Sequence, residues 1–156
     1  MFFRKKKPET NEHDQESSRA EGALAPESTH AAFDRLRDAL IDDALARSAD
    51  ALRLDPSAEG ARTFLRIEGA WIESTPIDQP AVSRLVASFR RACDLARGDA
   101  ESSFTLGLFV AEWRDEQYDA FVAFFPSRRG PRVALRFVAH SEPIEAFRPE
   151  EMLSLF

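Results

Sequence analysis

From Ala51 to Glu73 the chain reads ALRLDPSAEGARTFLRIEGAWIE, with apolar and polar residues alternating on both sides of a Pro-Ser-Ala-Glu-Gly turn. A period of two places every second side chain on the same face of a strand. Three short strands are therefore predicted, over Leu52 to Asp55, Thr63 to Ile67 and Ala70 to Glu73. The last two are joined by Glu68-Gly69, a tight hairpin, because glycine accepts the positive φ that such a turn requires. Upstream the rhythm is different. Phe33, Leu36, Leu40 and Ala44, flanked by Ile41 and Leu45, recur at spacings of three and four, which marks one face of a helix. Its expected N-cap is Ser28 or Thr29, and its expected end lies near Ala49.

A second helix is marked by Asp78 ahead of Pro80, by Val82, Leu85, Val86, Phe89, Cys93 and Ala96 on one face, and by Gly98 beyond its end. Three more strands follow, Phe104 to Val110, Tyr118 to Pro126 and Arg132 to Val138. The polar turns Arg114 to Gln117 and Ser127 to Pro131 link them as a meander. The closing PEEMLSLF, with Pro149 and two glutamates at its start, is read as a short helix. The predicted order is α-β-β-β-α-β-β-β-α, an α+β domain with a mainly antiparallel sheet and helices on one face.

Composition changes near residue 28. Arg4 to Ser28 holds almost no large apolar residue before Leu24, so residues 1–28 are expected to form a disordered polar arm and residues 29–156 the folded domain. The tip of the arm, Phe2 and Phe3 followed by Arg4, Lys5, Lys6 and Lys7, combines two aromatics with four cations, a pattern suited to weak, reversible contact with an anionic membrane surface. No apolar run reaches the length of about 20 residues that spans a bilayer. Cytoplasmic residence, with the inner membrane face as a further place for the arm, is the expectation. A net charge of -6 argues against nucleic acid as partner. One cysteine, Cys93, excludes an internal disulfide and any cysteine-rich metal site.

Candidate chemistry is sparse. All three lysines lie at Lys5 to Lys7, and there is no G-x-x-x-x-G-K-[ST], G-x-S-x-G, H-E-x-x-H or G-x-G-x-x-G. Asp34, Asp38 and Asp42 repeat every four residues but stand among Arg35, Arg37 and Arg47, which reads as a solvated helix face. The pairs Asp42-Asp43 and Glu150-Glu151 are sequence neighbours on helices, so they diverge and cannot act as a facing acid and base. The chain reads as a non-enzyme without cofactor or metal.

Two stretches resemble the N-terminal, PAS-like accessory domain of the ATPases that drive type II secretion and type IV pili. In ALARSADALRLDPSAEGARTFLRIEGAWIES, Pro56 and the hairpin Arg66 to Gly69 agree with the family's "SDIHIEP" strand and "RFRIDGVL" hairpin, while Arg53 stands where the family has histidine and Asp55 where it has glutamate. Ser83-Arg84 matches a pair common in the family's next helix. YDAFVAFFPSRRGPRVALRFV is similar to the family's "VDVRVSTLPTVHGERVVLRLL", sharing Asp119, Pro126, Gly130, Arg132, Val133, Leu135 and Arg136. The resemblance covers about residues 31 to 156 and departs at Arg97 to Phe104, where the family has "RRLPQDGR". It implies a motor-less homologue of the accessory domain, with Arg66, Arg84 and Arg132 as arginines that touch a nucleotide held by another chain.

Two functional readings follow. In the first, the protein is an interaction or regulatory protein that docks on a secretion or pilus ATPase, on another component of that apparatus or on a second copy of itself; the turn Arg128, Arg129 and Arg132 supplies a local positive contact. In the second, it is a small-molecule sensor whose pocket is lined by Phe104, Phe109, Phe121, Phe124, Phe125 and Phe137.

Overall fold

The computed structural model describes residues 29–95, 104–142 and 148–156; the expected arm, and with it Phe2 to Lys7, lies outside the described residues. The chain runs α1 (Thr29–Ala46), β1 (Ala51–Ser57), β2 (Gly60–Ile67), β3 (Ala70–Glu73), β4 (Ile77–Asp78), α2 (Gln79–Ala92), β5 (Thr105–Trp113), β6 (Glu116–Phe125), β7 (Arg132–Ala139) and α3 (Pro149–Leu153). The predicted α+β class and antiparallel sheet are present. The seven-stranded sheet has the order β3-β2-β1-β7-β6-β5, with β4 paired beside β2, and every pairing is antiparallel.

Strand boundaries extend beyond the alternating core of each run because ladder pairing continues into the turns. Pro56 and Ser57 belong to β1, and only Ala58 and Glu59 turn. Pro56 is tolerated there because β7 pairs with β1 no further than Leu54, so the missing N–H breaks no bond to β7. Glu68 and Gly69 have φ of 51° and 81°, as the expected hairpin requires. The β5–β6 link is as tight: Arg114 and Asp115 alone turn, with φ of 50° and 62°, while Trp113 already pairs with Glu116. Gly60 is obligatory. Its φ is 149°, and a Cβ would stand 1.9 Å from the Ile77 carbonyl oxygen where β4 crosses.

Each register assigns its paired residues to one face. On the first, Leu52, Leu54, Thr63, Leu65, Val122, Phe124, Val133, Leu135 and Phe137 meet Ile41, Ala44 and Leu45 of α1 and Leu85, Val86 and Phe89 of α2. Burial at about 25 cal/mol per Å² of apolar surface makes this core the main source of stability. Gly107 lets the end of α2 approach β5, since a Cβ there would lie 2.6 Å from Cys93 Cβ.

Two helices cover one face, as expected, but the third does not join them. α1 and α2 share the first face, whereas α3 packs on the other. Ala51, Ala123 and Ala134 on neighbouring strands leave a hollow that Met152 and Leu155 fill, with Phe121 beside them. Three small residues on one patch are what a short helix needs to approach a sheet closely. Arg53 Nη1 donates to the Leu155 carbonyl oxygen at 3.0 Å, and Arg136 pairs with Glu151 at 3.1 Å, fixing α3 at its end and on its side.

The second helix ends at Ala92, before the positions expected for it; Ala96 and Gly98 lie outside the described residues. Asp94, with φ of 53°, turns the chain instead, and the Leu95 N–H returns to the Arg90 carbonyl oxygen at 2.9 Å. Likewise α1 stops at Ala46, Ser48 takes a φ of 57°, and the buried Ala49 leads into β1.

Candidate interaction surface

The five arginines expected to form contacts are distributed over three places. Arg66 on β2 makes two 2.8 Å hydrogen bonds to the Asp50 carboxylate and lies over Trp71. Arg132 on β7 donates to Asp55 at 3.1 Å, with Phe156 beneath it at 5.3 Å. Both project from the α3 side of the sheet. Arg84 is exposed on α2, on the opposite side, over the ring of Phe33. Arg128 and Arg129 are exposed in the β6–β7 turn, and Arg129 borders a cleft of about 430 Å³ between that turn and Gln79 and Ser83 of α2. The turn therefore does not present three free cations: Arg132 is turned to the sheet face and neutralised by Asp55. Nor do Arg66, Arg84 and Arg132 converge on a common nucleotide-sized site.

The phenylalanines divide in the same way. Phe109, Phe124 and Phe137 belong to the core under α1 and α2, while Phe104, Phe121 and Phe125 stand on the other face. A sheet lies between the two sets, so the six do not line one pocket. The clefts flanking α2 are bordered by none of them.

Polar chemistry at the remaining candidates is structural. Asp34 is not merely solvated. Its Oδ1 accepts from Ser88 Oγ at 2.6 Å and from Arg91 Nη2 at 2.7 Å, tying α1 to α2, and Arg37 bonds both Asp38 and the Ser88 carbonyl. Burial pushes the Asp34 carboxyl up, but the hydrogen bonds from Ser88 and Arg91 and the charges of Arg91 and Arg37 outweigh it and hold the carboxyl below its ordinary value. Cys93 sits half-buried at the α2 C-cap, where burial pushes the thiol up to about 11, so it is neutral at physiological pH. His140 meets the buried Asp119 at 2.8 Å, and among the described residues no hydroxyl or thiol nucleophile is bonded to the ring. Among the described residues no three His, Cys, Asp or Glu side chains converge to hold a metal ion, and no helix is long and apolar enough to cross a membrane.

What remains is a sheet face with two characters. Over β1, β2 and β3 it is a ladder of arginines and aromatics: Arg53 lies 5.0 Å from Phe64 and 4.6 Å from Trp71, Arg62 also covers Phe64, and Arg62 and Glu73 form a double hydrogen bond at 2.8 Å. Every cation of that ladder has a carboxylate partner. Over β5 and β6, beyond α3, the same face is apolar and open. Phe104, Leu106, Leu108, Val110 and Phe125 are 37%, 39%, 44%, 49% and 39% exposed. Phe104 meets Phe125 edge-on at 6.4 Å, and Phe125 meets Phe156 at 5.5 Å, so the patch is continuous with the α3 contact.

The strand periodicity of Phe104 to Val110 identified the strand but not which side of it faces outward, because Thr105, Gly107, Phe109 and Ala111 between them serve the core. The signal was present in the small residues of that second set: Gly107 marks close approach by another element, here the end of α2. Compared with known families and characterised proteins, the sequence matches no family model and no curated protein.

Proposed function

We propose that this protein is a non-catalytic interaction protein that docks a protein partner on the open half of its sheet. The observation that carries the reading is the row Phe104, Leu106, Leu108 and Val110 with Phe125, five large apolar side chains on one face beyond the cover of α3. Single exposed apolar residues are ordinary, whereas a contiguous patch is characteristic of an interaction site. The bound state of the arginines elsewhere on the face supports an apolar centre with a polar border rather than a charged grip. The resemblance to the secretion-ATPase accessory domain supplies the class of partner, a secretion or pilus ATPase or a component assembled with one; this rests on the quoted stretches of sequence alone.

The test compares the wild type with Leu108→Glu and Phe125→Glu. Both positions are exposed, so circular dichroism is expected to be unchanged. Co-purification of a secretion-type ATPase with the wild type and its loss in both variants supports the reading. Equal recovery by all three proteins, or by none, sinks it. Purified protein is also expected neither to hydrolyse ATP nor to bind it at micromolar levels, since the sequence holds no phosphate cradle.

A further inference from the structure

α2 carries charge of one sign. From Gln79 to Ala92 it holds Arg84, Arg90 and Arg91 and no acidic residue. Arg90 is buried, and Arg91 is held by Asp34 at 2.7 Å. The outward charge therefore falls to Arg84, which lies over the ring of Phe33, and to Arg128 and Arg129 in the neighbouring β6–β7 turn. Among the described residues no carboxylate pairs with any of these three.

Two clefts flank the helix. One, of about 340 Å³, is bordered by Thr29, His30 and Phe33 of α1, by Arg84 and Arg91 of α2, and by Leu95. The other, of about 430 Å³, reaches to Arg129. Ala87 borders both, so the two adjoin over a small side chain on α2. Among the described residues no Asp or Glu borders either cleft.

The chain enters the described structure at Thr29, which is itself in the wall of the first cleft. Just upstream, residues 8–28 hold six acidic residues and one cation, Arg19. We infer that this acidic stretch of the chain's own arm folds back over α2. Leu24, the one large apolar residue between Arg4 and Ser28, enters the cleft beside Phe33 and Leu95. Glu21 and Glu27 come to lie near Arg84, and the earlier acids run toward Arg128 and Arg129. Reach is ample: the stretch extends to about 70 Å, against about 21 Å for the whole of α2. Each ion pair at so exposed a surface is weak, but the arm is tethered, and its effective concentration at the cleft is about millimolar. The tether decides the occupant, because an acidic segment of another protein reaches α2 only by displacing the arm. This contact lies on the helix side of the sheet, so it stands or falls apart from docking on the open face.

The test is amide hydrogen exchange of the full chain at low salt, with a synthetic peptide of residues 1–28 as reference. Exchange between Glu21 and Glu27 is expected to be at least about fivefold slower in the full chain, and the difference is expected to vanish at about 0.5 M salt. Glu21→Arg with Glu27→Arg, altered only in the arm, is expected to abolish the slowing. Arg84→Glu with Arg129→Glu is expected to do the same, and the four changes together to restore it. The arm variant leaves the folded domain untouched, so its result stands even where the arginine variant fails to fold. Exchange equal to that of the peptide, slowing that survives charge reversal in the arm, or a folded fourfold variant without slowing overturns the inference. So does slowing that grows with protein concentration, which assigns the arm to a second copy.

Discussion

Phe124 and Phe125 are neighbours on β6 and experience different surroundings. Phe124 is 0% exposed, beneath α2 with the Arg90 guanidinium 4.7 Å from its ring; Phe125 is 39% exposed on the other face. The contrast extends over the whole sheet. One face meets two helices of 18 and 14 residues, the other a helix of five. A short helix covers only the width of the alanine hollow, so the β5–β6 side of that face stays apolar and open. The difference teaches that the fold is stabilised from one side, and that the other side is free to serve recognition.

The largest expected effect lies on the closed face. Phe124→Ala removes a fully buried ring and is expected to cost about 3–5 kcal/mol in urea unfolding. If the loss is under about 1 kcal/mol, the closed face is not the stabilising one. Next comes the partial cover. Leu155→Ala should cost about 2–3 kcal/mol, at the low end for a buried leucine, because α3 can shift to fill the space. A loss equal to that of Phe124→Ala would make the two faces energetically alike and break the comparison.

The α1–α2 layer has its own signature in acid. Asp34 has a folded-state pKa below its unfolded value of about 3.9, so its contribution is present above that value and is lost as pH falls through the folded pKa. Asp34→Asn is expected to destabilise by about 1 kcal/mol at pH 7, and the gap to wild type is expected to close below about pH 4. A gap that stays constant down to pH 2 would show that the carboxylate charge plays no part in holding the helices together. The smallest effect is on the open face: Phe125→Ser should change stability by less than about 0.5 kcal/mol while lowering binding of a hydrophobic dye. A loss above about 2 kcal/mol would mean that Phe125 is core after all, and the docking patch would lose its centre.

The three helices and the six longer strands are legible in the sequence, because each depends on local periodicity. Ala70 to Glu73 and the Glu68-Gly69 turn match residue for residue, since the hairpin's positive φ values select glycine from within the turn itself. The two-residue β4 was not legible, because so short a strand has no period; it exists only where Gly60 lets Ile77 and Asp78 pass against β2. The arginines were found as residues but not as a site. Arg132 and Arg129 are three apart in the chain, yet one faces Asp55 across the sheet and the other borders a cleft beside α2.

By itself, then, the amino-acid order determined the class of fold, the absence of a G-x-x-x-x-G-K-[ST] motif and the identity of each long element, all of which follow from neighbours a few residues apart. The tertiary structure alone decided which face each strand turns outward and where α3 lies. The runs AFVAFF on β6 and TLGLFVA on β5 are apolar at both parities, so alternation within them cannot distinguish core from surface. Only the long-range pairing of β1 with β7, which brings Ala51 together with Ala134 and Ala123, creates the hollow that α3 fills and leaves the row from Phe104 to Val110 outside it.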